Sequence, residues 1–278
     1  MRRVFGMRIA QYRQGDEIRI GLIGEGGLQP VDFRGDLIDY LRQRVELRPA
    51  GAPLPLGQVL WAPAVSRPSK IVAIGLNYRD HADESGGRPP ERPLLFAKFP
   101  NSVAAHGEAV TWDTSLTEKV DYEAELAVVI GRRSRNLGVG DALAAVFGYT
   151  CANDVSARDL QFGDRQWVRG KSLDSFCPLG PWIVTADAFT EPLDVEITCR
   201  VNGRLMQSSR TSRMIFKVPE LVSFLSRNFT LQPGDVILTG TPSGVGAFRD
   251  PPVYLQSGDE VSVTIEGIGT LTNPCRTV

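Results

Sequence analysis

The chain has 278 residues, 42% of them hydrophobic and 23% charged, and a formal net charge of -1. That length buries a large core. The near-neutral charge offers no basic field for nucleic acid or an anionic membrane surface, and no run approaches the ~18 apolar residues of a membrane span.

Met1 to Arg8 carries the positive charges of a signal peptide with no apolar stretch behind them, so a cytoplasmic protein is expected, with Met7 as a candidate start beside Met1. Short alternating runs over Arg8–Tyr12 and Ile18–Ile23, with Gly15-Asp16 between them, predict a hairpin. Asp36–Leu41 has helical spacing. Three prolines and a glycine over Pro49–Pro55 read as a linker. A small N-terminal domain with its linker is therefore expected over 1–67 and a catalytic domain over 68–278. Lys70–Gly75 reads as a buried strand that delivers Asn77-Tyr78-Arg79-Asp80-His81-Ala82-Asp83-Glu84. On a helix, i and i+3 share a face, so His81 and Glu84 can hydrogen-bond there. The loop from Ser85 to Pro93 has hinge-like glycines at Gly86 and Gly87. A strand over Leu94–Phe99 follows, and its Lys98 is given no role. His106 has no partner spacing and is read as structural or exposed.

Asp121-Tyr122-Glu123-Ala124-Glu125 runs into Leu126–Ile130, an apolar stretch closed by Gly131, and reads as a buried strand. Residues at i and i+2 on a strand point to one face. Glu123 and Glu125 then sit side by side at the strand mouth. If buried, they need a cation between them or a proton on one; a hard divalent cation is the simpler answer. A solvated strand end is the other reading. Gly140–Phe147 looks like a short helix with an acidic first turn. It leads to Asn153-Asp154, then to a turn over Ser156–Gln161 with Ser156 as its cap and Asp159 as companion to Arg158. Lys171 lies in Arg169-Gly170-Lys171-Ser172. Asn202-Gly203 marks a hairpin between Val195–Val201 and Arg204–Met206. Val218–Leu225 is an amphipathic helix with Pro219 in its first turn. A strand over Asp235–Thr239 empties into Gly240-Thr241-Pro242-Ser243-Gly244-Val245-Gly246, which is neither a P-loop nor a nucleophile elbow. Strands over Glu260–Ile265 and Gly269–Leu271 complete the pattern. None of the cysteines at 151, 177, 199 and 275 forms a C-x-x-C pair, so reduced, mostly buried thiols are expected.

The blocks around His81, Glu123, Asp154, Lys171 and Thr241 occur together in an order that resembles the fumarylacetoacetate hydrolase family, from about Lys70 to the C-terminus. The resemblance implies a β-rich α+β fold, a mixed β-sandwich roll with the small N-terminal domain ahead of it. It implies Mg2+, or Mn2+ or Ca2+, on Glu123, Glu125 and Asp154. It implies a His81–Glu84 catalytic dyad on a lid helix, with Lys171 facing metal and substrate. Gln161, Thr241 and Arg158 would serve the substrate, Arg158 partly by tying down the metal-site carboxylates. The expected reaction is metal-dependent C–C hydrolysis of small 2,4-diketo acids of the acylpyruvate kind, releasing pyruvate. The alternatives are oxaloacetate-type decarboxylation or isomerisation of hydroxymuconate-like diacids. A metal-stabilised binding protein is the non-enzymatic rival. A homodimer is implied as well; neither nucleic acid nor membrane is an expected partner.

Overall fold

A computed structural model describes residues 6–86 and 88–278. Residues 1–5, on which the reading of Met1 as the start falls, and the hinge glycine Gly87 lie outside the described residues. Strands dominate. They form a ten-stranded sheet, a five-stranded sheet and a two-stranded ladder. In spatial order the large sheet runs Gly27–Pro30, Glu17–Gly24, Arg8–Gln14, Cys177–Thr185, Val146–Asn153, Ala124–Ile130, Val236–Leu238, Ile71–Gly75 and Leu94–Lys98. Val103–Ala104 pairs with Cys177–Thr185 beside this path. The smaller sheet runs Arg204–Arg210, Glu196–Val201, Glu260–Ile265, Gly269–Thr277 and Val110–Trp112.

Ala124–Ile130 explains the arrangement. Every residue of it is buried, as a strand covered on both faces must be. Its side chains alternate between two cores. Leu126, Val128 and Ile130 face Ile197, Val263 and Leu271 of the smaller sheet. Ala127 and Val129 face Leu37, Ile38 and Leu41 of the helix Leu37–Gln43. The mixed two-sheet architecture expected from the strand pattern is what the chain adopts.

The N-terminal hairpin is present, with Gly15 at φ 59 in its turn. Its first strand joins the large sheet through Arg8↔Val184 and Ile9↔Ile183, so residues on both sides of the boundary expected at 67 share one sheet. The proline-rich stretch lies along that sheet's edge, Leu54 bridging Leu28 and Pro49 bridging Val31. The helix expected over Gly140–Phe147 is instead a 3₁₀ turn, Val139–Ala145. Val146 leaves it to pair with Ile130, because a β-branched residue followed by an aromatic suits the sheet better than another helical turn. The last strand extends past 271 to Thr277. Asn202 (φ 50) and Gly203 (φ 76) form the expected hairpin turn. No helix among the described residues is long and apolar enough to cross a membrane.

Candidate active site and metal centre

The antiparallel register Ala152↔Glu125 and Asn153↔Ala124 carries Asp154 alongside Glu123, two strands that are neighbours in space but distant in sequence. Asn153 Oδ1 accepts the Glu123 N–H at 3.0 Å, and Asp154 N–H donates to the Glu123 carbonyl at 2.9 Å. Carboxylate oxygens of Glu123, Glu125 and Asp154 thus gather within 4.8 Å of one another, all three residues buried. Asp121 lies next to them and binds Arg158 instead, accepting from its Nε at 2.8 Å.

Three cations face these four carboxylates. Lys171 Nζ donates to Glu123 Oε2 and to Asp154 Oδ2, each at 2.8 Å. Lys98 Nζ contacts Asp154 Oδ1 and donates to the Val155 carbonyl at 3.1 Å. Arg158 Nη1 reaches Glu123 Oε1 at 2.7 Å and Gln161 Oε1 at 2.8 Å. Glu125 accepts the Gly240 N–H at 2.6 Å but makes no ion pair among the described residues. The consequences show in acidity. Burial opposes ionisation of Glu123, yet Lys171 and Arg158 outweigh it and hold its carboxyl well below the usual range. Burial, then the charges of Asp154 and Glu123, push Glu125 well above it. Burial also opposes the Lys171 charge, but Asp154 and Glu123 raise its pKa. One carboxylate charge in a buried oxygen-rich cluster is left without a partner, the condition a hard divalent cation satisfies.

The second half of the site is local. Asn77 anchors the turn after Ile71–Gly75, donating to Thr239 O at 2.7 Å and accepting from Phe216 N at 2.8 Å. The short helix Arg79–Glu84 starts there. His81 Nδ1 lies 3.0 Å from Glu84 Oε2, as the i, i+3 spacing predicts. Asp80 ties the helix down through the Ser209 hydroxyl at 2.8 Å, and Gly244 N–H donates to Glu84 Oε1 at 2.8 Å. His81 is 7% exposed, so it is no surface histidine.

Both halves open on one cavity of about 260 Å³, lined by His81, Glu123, Glu125, Gln161, Lys171 and Thr241 among others. Its outer wall is aromatic: Phe96, Phe162, Trp167 and Phe248. A larger groove of about 800 Å³, near Tyr40, Leu143 and Phe147, lies away from the carboxylates. A match to the family described as fumarylacetoacetate (FAA) hydrolase C-terminal spans residues 70–276.

The chain belongs to the fumarylacetoacetate hydrolase family.

A mitochondrial oxaloacetate tautomerase of Bos taurus is 48% identical over 222 residues, 79% of this chain and 70% of that one. Among solved structures, a fumarylacetoacetate hydrolase from Exiguobacterium antarcticum superposes with a TM-score of 0.89 at 39% identity, covering 98% of this chain and all of that one. A 2-hydroxyhepta-2,4-diene-1,7-dioate isomerase from Mycobacterium marinum does so at 0.81 and 36%, covering 98% of each. The family is one in which a divalent metal is common. All nine candidate site residues of the fumarylacetoacetate hydrolase reading therefore lie in or beside one pocket, but three side-chain expectations change. Ser156 does not cap the helix Arg158–Gly163; its hydroxyl donates to Asp154 O at 2.9 Å, because Ala157 holds the cap position. Asp159 does not pair with Arg158. It accepts from Thr117 Oγ1 at 2.6 Å and from Leu160 N at 2.9 Å, while the arginine is drawn inward by the more deeply buried Asp121 and Glu123. Thr241 Oγ1 donates to Ala124 O at 2.9 Å and accepts from Gln207 Nε2 at 2.8 Å. Its single hydroxyl proton is therefore spent on the protein.

Two residues without an expected role contact this cluster. Lys98 is a lone lysine at the end of an otherwise apolar strand, 1% exposed. Asp121 accepts Gly246 N–H at 2.7 Å and Ala247 N–H at 2.9 Å besides Arg158. His106 is structural: its Nδ1 accepts Thr272 N–H at 3.0 Å, and burial lowers its pKa. The four cysteines are buried and free.

Proposed function

We propose that this protein is a divalent-metal-dependent enzyme that moves a proton between carbon and oxygen in small 2-keto acids, interconverting keto and enol forms, with oxaloacetate as the first substrate to test. One observation carries the reading: a buried carboxylate group with an adjacent lysine and an imidazole–carboxylate pair face the same cavity. The names of the similar proteins, a tautomerase and an isomerase, favour this chemistry over the hydrolysis of acylpyruvates expected first.

Glu123, Glu125 and Asp154 would hold Mg2+, or Mn2+ or Ca2+, which when bound polarises the 2-keto oxygen and acidifies the neighbouring carbon. Lys171 spends two of its three protons on Glu123 and Asp154, which leaves the third for the substrate oxygen on which negative charge would develop. Gln161 has its carbonyl oxygen fixed by Arg158, so its amide N–H groups are left to bind a substrate carboxylate in the cavity it lines. Arg158 serves the substrate through Gln161 and Glu123. Thr241 contributes shape, its hydroxyl being engaged. The Glu84 carboxylate can only accept, so Nδ1 of neutral His81 carries the proton and Nε2 is the free base. His81 takes the proton from the carbon beside the keto group, and its return to oxygen gives the enol. Glu84 stabilises the imidazolium between these steps.

The test is the ultraviolet decay of freshly dissolved enol oxaloacetate with enzyme and Mg2+, run beside acylpyruvates with pyruvate assayed as product. Acceleration of the enol–keto exchange without pyruvate is expected. Pyruvate from acylpyruvates at a higher kcat/KM than the exchange would replace this reading with hydrolysis, which the aromatic wall of Phe96, Phe162, Trp167 and Phe248 favours. Pyruvate from oxaloacetate would mark decarboxylation. A homodimer is part of the same proposal; light scattering at twice the 30.4 kDa chain mass checks it.

A further inference from the structure

Arg249 lies outside every motif above and lines no part of the cavity, yet its side chain closes a loop around the His81–Glu84 pair. Its Nε and Nη2 donate to the Gly244 carbonyl at 3.2 and 3.1 Å. Nη2 also contacts the Met206 carbonyl, on the strand Arg204–Arg210. Tyr122 donates its hydroxyl to the same Gly244 carbonyl at 3.2 Å and accepts from Arg249 Nε at 3.2 Å.

The residue so gripped is the one whose N–H donates to Glu84 Oε1 at 2.8 Å. Gly244 sits at φ 101, and a Cβ there would collide with the Met206 carbonyl oxygen. Only glycine fits between the strand and the helix. Two residues on, the turn Gly246–Phe248 donates its first two N–H groups to Asp121 and places the Phe248 ring 5.9 Å from the His81 ring. One loop therefore touches the carboxylate of the pair, the imidazole of the pair, and the buried Asp121 beside the metal centre. Arg249 ends that turn and pins its start to the smaller sheet.

We propose that Arg249 is a positioning residue: acting through the Gly244 backbone and the Phe248 ring, it sets the Glu84 carboxylate and with it the tautomer and orientation of His81. The catalytic consequence rests on the reading of His81–Glu84 as the proton-transferring pair. The positional claim does not.

The two histidines of the chain make a direct test. His81 faces a carboxylate with Nδ1 and must hold its proton there, whereas His106 accepts Thr272 N–H with Nδ1 and must be protonated on Nε2. Nitrogen-15 NMR of the metal-loaded full chain at a pH where both rings are neutral should show opposite tautomers. In Arg249→Met the His81 signals are expected to move toward a mixture of tautomers while those of His106 stay in place. The same variant should lose about tenfold in kcat with KM and Mg2+ affinity within twofold of the parent, as for a misplaced proton-transfer group. Arg249→Lys can still reach one of the two carbonyls and should recover part of both effects. Tyr122→Phe, with Arg249 intact, should move His81 in the same direction by less, and serves as well if Arg249→Met does not fold. Unchanged His81 tautomer in the folded variants overturns the proposal. So does a fall in kcat that tracks thermal stability and moves His106 equally. A shifted His81 tautomer with unchanged kcat upholds the positioning and removes His81–Glu84 from the chemistry.

Discussion

The carboxylate floor and the His81–Glu84 pair face one cavity but are held in unlike ways. The floor stands at the ends of central strands buried on both faces, and its groups are fixed by buried ion pairs to Lys98, Arg158 and Lys171. The pair sits on a six-residue helix whose ties are single hydrogen bonds to Ser209 and Gly244, with Glu84 19% exposed. Losing one partner of a buried ion pair leaves a charge stranded at a cost of ~3–5 kcal/mol. Losing one of the helix's hydrogen bonds, each made to a carboxylate, costs about 1.5–3 kcal/mol. Damage to the floor should therefore reach both folding and metal binding, whereas damage to the pair should reach the proton transfer alone. Anchoring by so few hydrogen bonds would also suit the lid role expected of this helix.

The largest effect expected is on the floor. Chelating the metal, or Asp154→Asn, should lower the tautomerisation rate by about 10³-fold or more, since several kcal/mol of charge stabilisation disappear. Calorimetry should find no Mg2+ binding in that variant. Activity that survives exhaustive chelation would remove the metal from the proposal altogether.

Next is Lys171→Met, for which a loss of about 10²–10³ in kcat is expected. Here the floor predicts a second effect: Glu123 and Asp154 lose a shared partner, so the metal-free protein should melt several degrees lower. A variant slow in catalysis but unchanged in Tm would show that Lys171 belongs energetically with the pair rather than with the floor.

Glu84→Gln sharpens the contrast from the other side. It should cost about 10²-fold in kcat while Mg2+ affinity and Tm stay near the parent values. If metal affinity falls in proportion, the two regions form one cooperative unit and the distinction between them fails.

The smallest effect is a pH dependence confined to the floor. Burial and the neighbouring Asp154 and Glu123 raise the Glu125 pKa in the metal-free protein. A proton bound more tightly in the folded than in the unfolded chain stabilises the fold fully below the unfolded carboxylate pKa, and that contribution is lost as pH rises through the raised folded value. Mg2+ binding requires the proton to leave. Over that interval apparent Mg2+ affinity should rise up to about tenfold per pH unit, and the Tm gain from saturating Mg2+ should grow with pH. Glu123, held low, acts in the opposite sense but in a more acidic range. A Tm gain that is flat with pH would mean that Glu125 is ionised before the metal arrives.

The floor and the pair also differ in how far the sequence disclosed them. His81 with Glu84 is a relation of i, i+3, fixed by helix geometry once the element is known; Glu123 with Glu125 is one of i, i+2, but the strand begins at Ala124, and Glu123 just ahead of it is held by its contacts with Asn153 and Asp154. A continuous apolar run closed by Gly131 marked the central strand, and Asn202-Gly203 marked the hairpin, because both signals are local to the backbone they describe. The Gly140–Phe147 segment misled because alanine-rich spacing describes a helix, whereas pairing of Val146 with Ile130 belongs to the sheet.

By itself, then, the sequence determined most of the elements, the family and the residues whose spacing places them on one face. The tertiary structure alone decided which charges meet. Lys98 reaches Asp154 across 56 positions, Asp121 takes the Gly246 N–H across 125, and Glu84 takes the Gly244 N–H across 160. No periodicity spans such distances. Those partners are chosen by strand order and register, and by the free energy of burying carboxylates beside cations and N–H donors rather than alone.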